Sequence, residues 1–114
     1  GYVEARHIGN QVRVMIHDAL DAFARLDAEQ ALRVVMADGD IDREYQSATR
    51  TLMTYMIEDP RHISRVINVM WVLRSLERIG DHARNISEQV IYMAKGTDVR
   101  HTSIEEIEQK VNQP

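Results

Sequence analysis

The sequence predicts an all-α fold: an elongated antiparallel three-helix bundle with a short C-terminal helix or tail. Three observations lead there. Apolar residues recur at helical spacing over three long stretches. Breakers are scarce, with 5 Gly and 2 Pro in 114 residues, and Pro60 and Gly96 fall where apolar patterns end. The chain has a single Phe and draws on Ala, Leu, Arg, Glu, Met and Gln, which favour helix.

The first helix is expected from about Val3 to Leu26, with Ile8, Val12, Met15, Ala19, Phe23 and Leu26 on its apolar stripe. Asp27 reads as the N-cap of the second helix. That helix is expected over 28–58, along Val34, Ile41, Tyr45, Ala48, Leu52 and Met56. Pro60 ends it, because proline lacks an N–H and disfavours helix at the residue before it. The third helix is expected from about Arg61 to Lys95. Its stripe is Val66, Val69, Leu73, Leu76, Gly80, Ala83, Val90 and Ala94, and Gly96 follows as a C-terminal stop. Ser103 and Glu106 form a possible capping box for a last helix over 104–111. The connections are very short, so successive helices run antiparallel. Residues 1–96 then form the bundle and 97–114 the tail. Trp71 and the six Met residues are expected in the core or at an interface.

Composition narrows the function. A formal net charge of −4 argues against a nucleic-acid surface, which needs a basic face. Zero Cys removes disulfides, thiolate metal sites and Cys nucleophiles. No run approaches the ~18 apolar residues of a membrane span, and residues 1–6 do not resemble a secretory leader, so a cytoplasmic location without membrane insertion is expected.

The most informative stretch runs from Ser75 to Glu88. Glu77 and Asp81 are four apart and project from one helix face, where like charges cost a few tenths of a kcal/mol. Gly80 lies between them at a cost of about 1 kcal/mol relative to Ala. Paired acids beside a side-chain-free position suit a cation or a close backbone approach. At about 100° per residue, Glu77, Asp81, Asn85 and Glu88 form a band from the edge of the stripe out to solvent. The second helix is odder. Asp38 falls on the apolar stripe with Val34, Ile41 and Tyr45, and a buried carboxylate is expensive unless paired, hydrogen-bonded or metal-bound. Asp38 and Asp42 repeat the spacing of Glu77 and Asp81, so adjacent helices can together supply four carboxylates to hard or borderline cations.

The competing reading is plain: on spacing alone, such acids are more often solvated helix faces. Asp18 and Asp21 read as surface, and His82 falls on the side away from the acids. There is no Gly-rich phosphate loop, no His-Glu-x-x-His and no Ser nucleophile elbow. Glu4 and His7 match one Glu-x-x-His of the di-iron bundles, which need two such motifs and two further Glu, and the match is taken as chance.

The run Arg74-Ser75-Leu76-Glu77-Arg78-Ile79-Gly80-Asp81-His82-Ala83-Arg84-Asn85-Ile86-Ser87-Glu88 closely resembles the repeat motif of PhoU, the bacterial phosphate-uptake regulator family. Residues 17–23, 38–45 and 52–56 agree with it in order, so the resemblance extends to about His101. Family members carry two tandem three-helix repeats, and this chain looks like the second.

The resemblance implies a regulator rather than an enzyme. It would act as an adaptor between a phosphate ABC transporter, through its ATPase subunit, and a membrane sensor histidine kinase, repressing the phosphate-starvation response. It also implies a homodimer. Some members bind metal clusters through acid-x-x-x-Asp motifs, which fall here on Asp38, Asp42, Glu77 and Asp81, with iron, zinc, manganese or magnesium as candidates. The alternatives are a helical oligomerisation module that binds metal without phosphate signalling, a purely structural oligomerisation bundle without metal, and a carboxylate-bridged metalloenzyme. An acidic motif repels phosphate unless a cation intervenes.

Overall fold

A computed structural model describes residues 2–96 and 104–112. Helix α1 spans Tyr2–Arg25, α2 Ala28–Glu58, α3 Ile63–Lys95 and α4 Ile104–Asn112. The three long helices all pack on one another in a rod of 57 × 24 × 16 Å.

The turns explain the boundaries. Asp27 caps α2 by accepting from the Gln30 N–H at 3.1 Å. Before it, the Asp27 N–H reaches back to the Ala22 carbonyl and the Leu26 N–H to that of Phe23, a Schellman closure of α1. Leu26 therefore sits at φ 54°, a left-handed position that costs a branched residue about 1 kcal/mol. Pro60 opens a single 3-10 turn, Pro60–His62, so α3 begins at Ile63 rather than Arg61. Gly96 closes α3 at φ 67°. Ser103, the expected capping residue of α4, lies outside the described residues.

The core divides into two clusters. One joins Ile8, Val12 and Met15 of α1 to Ile41 and Leu52 of α2 and Val69 and Leu73 of α3. The other joins Ala22, Ala31, Val35, Val90 and Ile91, and α4 adds Ile107 and Val111 to it. Each fully buried aliphatic side chain contributes about 1.5–3 kcal/mol. Along α3 the boundary between the clusters falls at buried Ser87 and Glu88, whereas on α2 the buried Asp38 lies between Val34 and Ile41 of the first cluster.

Three expectations about exposure need correction. Phe23 is 55% and Leu26 48% exposed, while Ala22 is buried. The α1 seam runs 5, 8, 12, 15, 19, 22, a strict three-four alternation, so after Ala19 the next inward position is Ala22 rather than Phe23. Leu26 belongs to the turn. Trp71, expected in the core or at an interface, is 65% exposed, which excludes the core and leaves the interface. Glu88 is buried rather than on the solvent edge, because α4 covers this end of α2 and α3 and Arg84 pairs its carboxylate.

Candidate functional site

Asp38 and Asp42 stand one turn apart on α2 and face α3. One carboxylate oxygen from each, and one from Asp81 of α3, all lie within 4.8 Å of one another. Among the described residues, no other trio of acids or histidines meets that spacing. The cluster is graded, with Asp38 buried, Asp42 half-buried and Asp81 exposed, so it opens to solvent on the α3 side.

Burial, then the Asp42 and Asp81 charges, push the Asp38 carboxyl up to about 6, against the pull of Arg84. Burial and Asp81 also raise Asp42, with Arg84 again opposing. Glu77, the fourth acid expected from spacing, stands outside the trio. It still feels it: burial first, then Asp81 and Asp42, raise its carboxyl, and Arg74 opposes.

Arg84, which spacing did not single out, and Glu88, which it placed toward solvent, complete the surroundings. The Arg84 Nε donates to Glu88 Oε1 at 2.8 Å, and its Nη1 lies 3.5 Å from Asp38 Oδ2. The Arg84–Glu88 pair is an i,i+4 pair and readable in sequence; the reach to Asp38 on another helix is not. His82 and Asn85 are exposed. Asp21 is not a bare surface acid: it accepts from Gln30 Nε2 at 3.0 Å and pairs with Arg25 at 2.9 Å, clamping the α1–α2 turn. The His7 ring stands 3.6 Å from a Glu44 carboxylate oxygen, with no trio forming there.

Gly80 is explained by its neighbours. No backbone approaches it; a Cβ there would meet Asp38 Oδ1 at 3.5 Å and Val12 Cγ2 at 3.9 Å, both ordinary contacts. A methyl fits but covers a carboxylate oxygen. Gly80→Ala is therefore expected to stabilise the metal-free protein by up to about 1 kcal/mol at pH 5 through helix propensity. At pH 8, where Asp38 is ionised, the gain should shrink, and thermal melts at the two pH values check this.

Three carboxylates with no His or Cys form an all-oxygen donor set suited to hard cations such as magnesium, manganese or ferric iron rather than to zinc. The fit is chemical as well as geometric, since a divalent charge would offset the burial and the neighbouring carboxylate charges that together raise Asp38 and Asp42.

Comparison with known proteins places the chain. The family described as PhoU domain matches residues 5–90. The phosphate-specific transport system accessory protein PhoU homolog of Pseudomonas putida is 66% identical over 111 residues, covering 97% of this chain and 43% of that protein. The Escherichia coli K12 accessory protein PhoU is 43% identical over 106 residues, covering 93% of this chain and 44% of its own length. The crystal structure of PhoU from Pseudomonas aeruginosa matches with a TM-score of 0.84 and 66% identity, over 85% of this chain and 46% of that one. The chain thus spans less than half the length of these relatives. The family match across residues 5–90 and this identity over nearly the whole chain have one meaning: the chain belongs to the PhoU family.

Proposed function

We propose that this chain is one three-helix unit of a phosphate-specific transport accessory protein. It helps to repress the phosphate-starvation response from the cytoplasm. The carrying observation is the 66% identity to the Pseudomonas putida accessory protein over 97% of the chain. The unit acts as an adaptor without chemistry of its own. Its partners are the transporter's ATPase subunit and a membrane sensor histidine kinase, and a second copy pairs with it as a homodimer. Among the described residues no helix is long and apolar enough to cross a membrane. Exposed Ile57, Trp71 and Val72 are apolar surface available for contact with partners.

Within the unit, Asp38, Asp42 and Asp81 hold a hard cation, with Glu77 close enough to add charge. The cation's part is structural: it ties α2 to α3 at the buried carboxylate of Asp38. A strain lacking the gene should transcribe phosphate-responsive promoters at high phosphate, and the intact gene should restore repression. Transcription that is the same with and without the gene would overturn the regulatory reading. Elemental analysis of untagged protein and its Asp38, Asp42, Glu77 and Asp81 variants tests the cation separately. A purely structural oligomerisation module predicts no metal in any of them.

A further inference from the structure

Arg84 lies between two buried acids, Asp38 and Glu88. Its Nε hydrogen bond to Glu88 at 2.8 Å is a full charge-assisted bond, whereas the 3.5 Å contact to Asp38 is longer than the ~2.7–2.9 Å such bonds take. The Asp38 and Glu88 side chains are only 5% and 7% exposed, so both need a positive partner, and one guanidinium serves them. The two Asp38 oxygens differ in surroundings. Oδ2 turns to Arg84, while Oδ1 lies beside the bare Cα of Gly80. Of the three clustered carboxylates, the guanidinium stands in ion-pair distance of Asp38, so one positive charge is set against three negative ones.

We propose that Arg84 is the resident counter-ion of the carboxylate cluster: it neutralises Asp38 in the cation-free protein and yields that carboxylate, while staying on Glu88, when a hard divalent cation binds. This rests on the cation reading above and adds what sets the affinity. A fixed positive charge a few ångströms from the bound cation opposes it, so Arg84 makes the site weaker than its three carboxylates alone would be. Occupancy then follows the cation concentration instead of being permanent.

Manganese titration by calorimetry at pH 7.5, with free Mn2+ read in parallel by electron paramagnetic resonance, tests this. Arg84→Met is expected to tighten Mn2+ binding by about tenfold or more, and Arg84→Lys, which keeps the charge, to stay within about threefold of the unaltered protein. Should Arg84→Met fold poorly, the R84M/E88Q protein leaves no lone buried carboxylate at position 88. It should still gain at least about threefold, because Arg84 contacts Asp38 directly. Adding Asp38→Asn should erase either gain.

If the unaltered protein binds Mn2+ and neither neutral variant binds it more tightly, Arg84 positions Asp38 rather than competing for it, and the inference is wrong. If no protein in the series binds Mn2+, the cation reading itself fails and this inference falls with it. Binding that appears only when Arg84 is neutral supports the counter-ion role.

Discussion

Asp38→Asn should stabilise the metal-free protein at pH 8 while removing its capacity for cations. The sign follows from the raised carboxyl. Asp38 takes up its proton near pH 6 in the folded chain and near its ordinary 3.8 when unfolded, so between those values the native state holds the extra proton. Stability therefore falls as pH rises through that window, and the whole penalty is present above it. Two pKa units correspond to about 2–3 kcal/mol. Asn keeps the shape without the charge, so the variant should gain about 1–3 kcal/mol at pH 8 and close to nothing at pH 4. Urea unfolding with chelator present, at both pH values, measures it. Equal effects at the two pH values would show that the Asp38 charge is not strained. Added Mn2+ should raise the melting temperature of the unaltered protein and leave that of the variant alone.

Arg84→Met should have the opposite sign and a larger size. Removing one partner of a buried ion pair leaves an uncompensated charge, which costs about 3 kcal/mol or more. Here two buried carboxylates, Asp38 and Glu88, lose their shared cation at once. The melting temperature of metal-free protein should drop by roughly 10 °C or more. Adding Glu88→Gln should recover much of the loss, because the side chain then needs a hydrogen bond and not a charge. A loss below about 1 kcal/mol would mean that water already solvates both carboxylates and that Arg84 is an ordinary surface residue.

Legibility differed sharply between local and tertiary features. The helix ends could be read because they depend on neighbours in the chain: Asp27 offers its carboxylate three residues on, Pro60 withholds an N–H, and Gly96 accepts a positive φ. The α2 stripe could be read too, including the anomaly of Asp38 among Val34, Ile41 and Tyr45. Phe23 could not, because one step of three or four residues changes which side faces inward, and only the packing partners select it. Glu88 was misplaced for a related reason: its burial depends on α4 and Arg84, not on its angle around α3.

From residue order alone came the bundle, its three long helices, the family resemblance and the four candidate acids. The helices and the acids follow from periodicity, capping chemistry and motif spacing within each helix, and the resemblance from matching runs along the chain. Only the tertiary structure decided which acids meet. Asp38, Asp42 and Asp81 converge while Glu77 stays at the margin, because convergence depends on how far α3 slides and turns against α2. The same relation brings Arg84 onto Asp38, turning a surface-style i,i+4 pair into the counter-ion of a buried acid. No spacing within one helix carries that information, since it belongs to the distance between two.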